Sequence, residues 1–245
     1  MAPRFLLPAL VLAAACAPSA PPAAPAVFGP VPPGPETTEI REARERLIAG
    51  PVAKIGVTDP RVLDTLRSVD RRVFLPPELW PRAWEDGALR RPDGETLTAV
   101  DLAAAMLAAL EISPDSKVLE CGTRSGWLTA LLARAAKRVF TVAARPETTR
   151  AARRGLCLLG VGNVSFRTGD PGAGWPEEAP FDAVLVNGRV DHVPRALYAA
   201  LRPGGRILAP VGPAGGSQTL VLSIRGDTEP RSTRALLSVR FAPLR

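Results

Sequence analysis

The sequence predicts an α/β protein with a doubly wound, mostly parallel sheet, an N-terminal helical region and a C-terminal antiparallel strand pair. Three observations support this prediction. From residue 117 onward, short apolar runs typical of buried strands alternate with stretches of helical period. The first of these runs turns through glycines straight into a helix, in residues 117–134 (KVLECGTRSGWLTALLAR). The last two apolar segments follow each other with no helical stretch between them.

The region before the sheet is predicted to be helical. Apolar spacing indicates a helix over residues 36–49. A second helix begins at Asp59, which caps it, because the following proline suits the first helical position. Residues 78–97 have the composition of a loop, and a third helix is expected over residues 98–110 with Thr98 as its N-cap.

The remaining chain alternates strands and helices before the terminal pair. We predict strands at 117–121, 138–142, 163–167, 181–186 and 205–211, helices near 125–136, 146–159 and 193–202, and an antiparallel pair at 217–225 and 235–242. Ligands of doubly wound sheets bind outside the carboxyl ends of the strands. The candidate site is therefore formed by residues 120–126, 143–145, 169–170 and 187–189.

The turn after the first strand has the features of a nucleotide-binding corner. Its glycines lead into a helix start, where free backbone N–H groups and the helix dipole favour negative charge. The pattern is not G-x-G-x-x-G, because Arg124 stands where a second glycine is expected. Two alternatives stay open: a strand-to-helix turn without a ligand, and a dinucleotide site in which Arg145 meets a 2′-phosphate.

The first 36 residues are not predicted to belong to the fold. Arg4 precedes an apolar stretch of about eleven residues, which is too short to span a bilayer and is followed by small residues and Cys16. We predict a signal peptide over residues 1–16, either of the lipoprotein type with lipid on Cys16 or cleaved in the ordinary way. Residues 17–36 are an Ala/Pro-rich linker, and the folded domain spans residues 37–245. The expected location is the periplasm, or the bacterial envelope through a lipid anchor.

Composition argues against two classes of partner. The net charge is +7, but the arginines that supply most of the positive charge are scattered, and no basic stretch is interleaved with aromatic residues, so no nucleic-acid partner is predicted. The chain has one histidine, and no group of cysteine and histidine residues has metal-ligand spacing. We therefore predict no metal site, and membrane association only through lipid on Cys16.

A series of short motifs resembles, in order, the protein-L-isoaspartate O-methyltransferase family over about residues 40–245. The motifs are Gly56–Leu63 (GVTDPRVL), Arg71–Pro76 (RRVFLP), Ala83–Asp86 (AWED), Gly94–Thr98 (GETLT against G-Q-T-I-S), Val118–Trp127 (VLECGTRSGW against V-L-E-I-G-T-G-S-G-Y), Pro180–Ala183, Gly204–Arg206, Pro210–Gly212 and Phe241–Leu244 (FAPL against F-V-P-L). The resemblance implies a Rossmann-like methyltransferase fold.

The resemblance also implies a reaction and the residues that take part in it. The family transfers a methyl group from S-adenosylmethionine to the free carboxylate of isoaspartyl residues in damaged proteins or peptides, as a step of protein repair. A carboxylate is already ionised at pH 7, so this chemistry needs no strong general base. The implied catalytic residues are Thr96 and Thr98, which would hold the carboxylate, although helix capping explains their spacing equally well. The implied cofactor contacts are Glu120, Gly122, Thr123, Ser125, Gly126, Ala143 and Asp170, and the implied substrate contacts are Asp86 and Asn187.

The chain departs from the family pattern at several of these positions. Ala143 replaces the glutamate that holds the ribose hydroxyls, and Arg124 places a large cation against the bound cofactor or in its path. Pro171 replaces a glycine, residues 187–189 (NGR) replace a T-A-A-like stretch, and Thr98 replaces serine. These departures, and an exported location remote from the cell's S-adenosylmethionine, favour the alternative of an inactive methyltransferase-fold binding module of the envelope.

Overall fold

A computed structural model of the protein describes residues 32–227 and 230–244. The predicted signal peptide and most of the predicted linker lie outside the described residues. In the described part, seven strands form one sheet in the order β5-β4-β3-β6-β7-β8-β9, and a two-stranded hairpin, β1-β2, lies apart. The strands are β1 Leu89–Arg90, β2 Thr96–Leu97, β3 Lys117–Cys121, β4 Arg138–Ala143, β5 Val164–Thr168, β6 Phe181–Val186, β7 Leu201–Val211, β8 Gln218–Arg225 and β9 Pro230–Val239.

Six α-helices are described. They are α1 Thr38–Leu47, α2 Pro60–Ser68, α3 Val100–Leu110, α4 Trp127–Ala135, α5 Pro146–Leu158 and α6 Arg195–Ala199. A π-helical turn, Ile48–Val52, follows α1, and 3₁₀ turns span Arg71–Phe74 and Pro77–Arg82. The predicted cap at Asp59 is confirmed, because its carboxylate accepts a hydrogen bond of 2.9 Å from the backbone of Arg61.

The sheet is buried on both faces, as a doubly wound sheet requires. Along β3, Val118 packs into a core with the N-terminal helices, whereas Leu119 packs into a second core that includes α6. This alternation arises because successive side chains of a strand point to opposite faces. The predicted fold class is confirmed: β5, β4, β3, β6 and β7 are parallel neighbours, and β7, β8 and β9 pair antiparallel.

The strand order places the glycine turn at the centre of the sheet. After β3 the chain first adds β4 and β5 on one side and then β6 and β7 on the other. The carboxyl ends of β3 and its two neighbours align, because Cys121 lies opposite Val142 of β4 and Val186 of β6. This is the position at which open α/β sheets form a ligand crevice.

Two predicted boundaries near the carboxyl half are wrong. The helix expected over 193–202 is limited to Arg195–Ala199, and β7 begins at Leu201 rather than at residue 205. Leu201 pairs with Phe181 across a register shift that precedes the regular ladder. Residues 202–205 thus form the irregular part of β7, between the Leu201 pair and the regular ladder that starts at Arg206.

Three further predictions need correction. β9 starts at Pro230 and ends at Val239, not over 235–242, because its pairing with β8 begins near Arg225 and the chain then leaves the sheet. The predicted loop 78–97 contains the short β1–β2 hairpin. The N-cap of α3 is Ala99, and the Thr98 hydroxyl makes no capping hydrogen bond.

Candidate functional site

The turn between β3 and α4 is tightly built and depends on glycine. Gly122 and Gly126 have φ values of +98° and +92°, in the region that L side chains rarely adopt. The backbone amides of Gly122 and Thr123 both donate to the Val142 carbonyl, at 2.8 and 3.0 Å, which ties the turn to the end of β4. A Cβ at Gly126 would lie 3.0 Å from the Cα of Ala152 in α5, so the helices could not pack as closely.

The start of α4 is suited to an anionic or polar ligand group. Gly126 caps the nine-residue helix without a side chain, and the Ser125 hydroxyl accepts a hydrogen bond of 3.3 Å from the Trp127 amide. Among the described residues, the amides of Ser125 and Gly126 make no hydrogen bond within the protein. Free amides at a helix N-terminus attract negative charge. This geometry fits the carboxylate-bearing end of a nucleoside cofactor.

Glu120 lies beneath the turn in a closed hydrogen-bond network. Its side chain is buried, and its carboxylate accepts hydrogen bonds from Thr129 at 2.5 Å, Thr141 at 2.7 Å and the Asn187 amide at 3.2 Å. The Thr123 and Thr141 hydroxyls are also bonded to each other. Burial raises the pKa of Glu120 despite these donors. The predicted cofactor contact is therefore placed in the interior, where it joins β3, α4, β4 and the end of β6.

Asn187 occupies the end of β6 and is 3% exposed. Its amide nitrogen donates to Glu120, and its backbone carbonyl accepts from Arg124 Nε at 2.9 Å. Its side-chain oxygen Oδ1 is buried and has no hydrogen-bond partner among the described residues. A buried acceptor without a donor is unusual. Asn187 Oδ1 is thus available to accept a hydrogen bond from a ligand, at a residue that was predicted to contact the substrate.

The two threonines of the predicted substrate signature lie in the hairpin segment beside the turn. Thr96 is exposed in β2, and Thr98 is partly exposed just before α3. Arg71, which is fully buried, donates to the carbonyls of Thr98 at 2.6 Å and Ala83 at 2.7 Å and stacks 4.7 Å from the Trp127 ring. Burial lowers the pKa of Arg71 to about 9. Arg71 was not predicted as a site residue, although the motif that contains it was noted.

Asp86, the other predicted substrate contact, is exposed in the loop after Ala83. No side-chain hydrogen bond or ion pair of Asp86 is seen among the described residues. Since Arg71 anchors Ala83 three residues earlier, the loop that carries Asp86 is fixed at its base. Its exposure leaves the role in substrate binding a prediction.

Arg124 points away from the glycine turn rather than into it. Its Nε donates to the Asn187 carbonyl, and its Nη1 donates to Glu95 at 2.9 Å. Its Nη2 donates to the carbonyls of Ala242 and Pro243 at 3.1 and 3.0 Å. The guanidinium is therefore held by four partners within the protein, and its place against the bound cofactor stays a prediction.

The C-terminal segment, residues 241–244, crosses the site beside Arg124. Two backbone hydrogen bonds pair it with Arg189. The Arg189 amide donates to the Ala242 carbonyl at 2.8 Å, and the Leu244 amide donates to the Arg189 carbonyl at 2.9 Å. The Leu244 side chain lies against Gly122, where a Cβ would be 2.8 Å from its Cδ1. The sequence motif at 241–244 was noted, but its contact with the turn could not be read from the motif.

The remaining two predicted cofactor residues flank the crevice. Ala143 ends β4, is 1% exposed and offers no side-chain acceptor. Asp170 follows β5 on the surface, where one carboxylate oxygen accepts from the Gly172 amide at 2.8 Å. Asp170 caps a 3₁₀ turn, so one oxygen remains for a ligand. Among the described residues, no cluster of three acidic, histidine or cysteine side chains could hold a metal ion.

The sheet order and the glycine turn at its switch point define the class of the protein as a Rossmann-like methyltransferase fold. The chain belongs to the family described as protein-L-isoaspartate(D-aspartate) O-methyltransferase, whose profile matches residues 42–245.

Named relatives agree with this assignment. The chain is 40% identical over 195 residues to a protein-L-isoaspartate O-methyltransferase of Myxococcus xanthus, covering 79% of this chain and 92% of that one. It is 44% identical over 194 residues, with the same coverage, to a protein-L-isoaspartate O-methyltransferase 1 of an Anaeromyxobacter species.

Two solved structures share the fold. One is a protein-L-isoaspartate O-methyltransferase with a TM-score of 0.73 and 26% identity. The match covers 82% of this chain and 65% of that chain. The other, from Plasmodium falciparum, was solved in complex with S-adenosyl-L-homocysteine and has a TM-score of 0.68 at 20% identity, with 84% of this chain and 97% of that one covered.

Proposed function

We propose that this protein transfers a methyl group from S-adenosylmethionine to the free carboxylate of isoaspartyl residues in damaged proteins or peptides. The observation that carries the proposal is the meeting of the glycine turn with the Thr96–Thr98 segment. The Glu95–Arg124 ion pair of 2.9 Å joins them directly, and Arg71 joins Thr98 to the first residue of α4. Two family motifs far apart in the chain therefore form one crevice.

The residues of this crevice fit the proposed cofactor and substrate. The cofactor would supply a methyl group activated on a sulfonium. Gly122, Ser125 and Gly126 would bind it along the turn, and Thr123 would support the turn from below. The Thr96 and Thr98 hydroxyls would donate to the substrate carboxylate, which is already ionised and needs no base. Alignment of the carboxylate oxygen with the methyl carbon would supply most of the rate.

A dinucleotide site is poorly supported by the surroundings of Arg145. Its guanidinium already pairs with Glu95 at 3.2 Å and with Glu147 at 3.5 Å, so its charge is compensated without a 2′-phosphate. Family membership also favours the enzyme over an inactive binding module. The departure at Ala143 and the proposed exported location still favour the module.

The experiment is calorimetric titration of S-adenosylhomocysteine into the full chain, followed by an assay of methyl transfer. We expect micromolar binding and methylation of an isoaspartyl peptide, with no methylation of the matched aspartyl peptide. Thr98→Val should lower kcat/KM for the peptide by about tenfold or more, since a hydrogen bond to a charged group is lost, while cofactor affinity is kept. A folded protein that binds no cofactor at millimolar concentration would contradict the proposal and support the binding module.

We also propose that the chain is exported and acts in the periplasm or on the bacterial envelope. The support is the sequence of residues 1–36: a short apolar segment, small residues before Cys16, and an Ala/Pro-rich spacer suited to a tether. Within residues 32–227 and 230–244, no helix has the length and apolarity to cross a membrane. Substrates would then be damaged proteins of the envelope.

A further inference from the structure

The end of β4 lacks the acceptor that a bound ribose requires. In nucleotide-binding α/β folds, an acidic residue about 20 residues beyond the glycine turn accepts the ribose hydroxyls. Here Ala143 stands at that place with a buried methyl group, and its carbonyl is already used by the Gly169 amide at 2.9 Å. The two glycines that the turn requires are present, with positive φ at Gly122 and Gly126.

A carboxylate from the β1–β2 hairpin, that of Glu95, lies close to the carboxyl ends of β3 and β4. Glu95, in the segment between β1 and β2, places Oε2 2.9 Å from Arg124 Nη1 and Oε1 3.2 Å from Arg145 Nη2. Arg124 belongs to the turn after β3, and Arg145 lies two residues beyond the end of β4. The Glu95 carboxylate therefore lies between the carboxyl ends of the two strands that border a ribose site.

Three departures from the family motifs meet at this point. Glu95 stands where the family signature has glutamine, Arg124 stands where it has glycine, and Ala143 stands where it has glutamate. Arg124 binds Glu95 directly, and Arg145, two residues after Ala143, binds its other oxygen. The negative charge that the end of β4 lacks at Ala143 is thus present on Glu95. Arg124, which replaces a glycine of the family pattern, orients the Glu95 carboxylate.

Within residues 32–227 and 230–244, no other nearby carboxylate has this placement. Glu120 is enclosed by three donors of the interior. Glu147 lies in the first turn of α5 and contacts Arg145 on its Nε side. Asp170 is on the surface beyond β5 and caps its own turn. Of the acidic residues that the structure describes, only Glu95 is held by residues from both strand ends.

We propose that Glu95 accepts the ribose hydroxyls of the cofactor in place of the missing acid at position 143. This inference rests on the proposed function. A carboxylate oxygen has room for about two hydrogen bonds, so each Glu95 oxygen can keep its arginine and accept one hydroxyl. The two guanidinium contacts fix the carboxylate before the cofactor arrives, which reduces the entropic cost of binding. Arg124 and Arg145 are then positioning residues for Glu95.

The test compares two ligands on matched variants of the full chain. S-adenosylhomocysteine and its 2′,3′-dideoxy analogue are titrated calorimetrically into the wild type, Glu95→Gln and Glu147→Gln. Glu147→Gln is the control, because it also removes a carboxylate from Arg145 but leaves Glu95 in place. Thermal unfolding of each variant establishes that it is folded.

We expect Glu95→Gln to weaken S-adenosylhomocysteine binding by about tenfold to a hundredfold, the range for hydrogen bonds to a charged acceptor. The dideoxy analogue should bind the wild type and Glu95→Gln with the same affinity, within about twofold, because it has no hydroxyls to donate. Glu147→Gln should bind both ligands like the wild type.

Other outcomes would overturn the inference. Equal affinity of the wild type and Glu95→Gln for S-adenosylhomocysteine would show that Glu95 does not contact the ribose, and tighter binding would show that it obstructs the crevice. Equal weakening for both ligands would assign Glu95 a structural role only. Failure of the wild type to bind either ligand would overturn the proposed function as well, whereas the first three outcomes leave that function intact.

Discussion

The Glu120 carboxyl group illustrates how one ionisable residue can join several elements of a site. It is buried, and each of its hydrogen-bond partners comes from a different element: α4, β4 and the end of β6. Removal from water disfavours the charged form, so burial raises the pKa of Glu120 above the ordinary value of a carboxyl group. Its contribution to stability therefore depends on pH.

The sign of this dependence is fixed by the raised pKa. Between the ordinary pKa and the higher folded-state value, the folded chain holds a proton that the unfolded chain has lost, so stability falls as pH rises. Glu120→Gln removes the titration, and a rotated Asn187 amide, whose oxygen is unpartnered, can accept from the new amide. We expect the free energy of unfolding of the wild type to decline relative to Glu120→Gln as the pH rises from the ordinary carboxyl pKa to the raised folded-state pKa.

Denaturant unfolding at a series of pH values measures this difference. Glu78→Gln is the control, because Glu78 is exposed and makes no ion pair among the described residues. Parallel stability curves for the wild type and Glu120→Gln would contradict the prediction. A control that diverges in the same way would attribute the effect to net charge.

For single residues, the sequence predicted some positions of the site more accurately than the contacts that those residues make. Gly122 and Gly126 were predicted from the turn pattern, and their φ values confirm the need for glycine. Glu120 is buried in a hydrogen-bond network that the strand pattern alone could not predict, and its contact with the cofactor stays a prediction. Glu95 was not singled out, since its role depends on Arg124 and Arg145, which lie 29 and 50 residues away along the chain.

The C-terminal segment packs closely against the turn after β6. A Cβ on Gly188 would lie 2.7 Å from the Cα and 2.9 Å from the amide nitrogen of Leu244. The φ of Gly188 is not in the left-handed region, so alanine at this position would act through packing alone. Gly188 is thus a direct probe of the seating of residues 241–244.

We expect Gly188→Ala to reduce the free energy of unfolding by about 1–3 kcal/mol, the usual cost of forcing atoms into a packed region. Gly162→Ala is the matched control, because nothing lies within 4 Å of its added Cβ and its φ is ordinary. That change should be neutral or stabilise by up to about 1 kcal/mol. Urea unfolding measures both variants, and equal stabilities would show that the segment is not seated on Gly188.

Element types were predictable from the sequence, and element ends were less so. The apolar runs of β3, β4 and β6 identified buried strands, because parallel strands are covered on both faces. The early starts of β7 and β9 were not predicted. The first residues of these strands are extended because they pair with Phe181 and Arg225, and the local sequence does not indicate a strand there. The N-cap of α3 was predicted at Thr98 and is Ala99, a difference of one residue that is common at helix ends.

For the whole molecule, the mostly parallel sheet followed from the alternation of strands and helices, whereas the strand order became known only from the structure. The switch point between β3 and its two neighbours then located the crevice without knowledge of any ligand. Contacts between distant segments, such as Arg124 with residues 242 and 243, could not be predicted, because no local pattern records them.

The proposed envelope location is also a property of the whole chain. We expect the wild type, expressed with its first 36 residues, to be found in the membrane fraction and Cys16→Ala in the soluble periplasmic fraction, since the substitution removes the predicted site of lipid attachment. Cys121→Ala is the control, because this buried thiol lies in the sheet. Cell fractionation and the mass of the mature chain provide the measurement.

A wild type already soluble in the periplasm would indicate ordinary signal cleavage without lipid. A full-length chain in the cytoplasm would contradict export altogether.

The contact between Arg124 and the C-terminal segment has a consequence for biosynthesis. The ribosome adds Ala242 118 residues after Arg124, so the glycine turn emerges long before the residues that cover it. During that interval Gly122 has no Leu244 beside it, and the Arg124 guanidinium lacks two of its four acceptors. The crevice therefore reaches its final shape only when translation of the domain is nearly finished, and a prematurely terminated chain would retain the sheet centre but not the finished crevice.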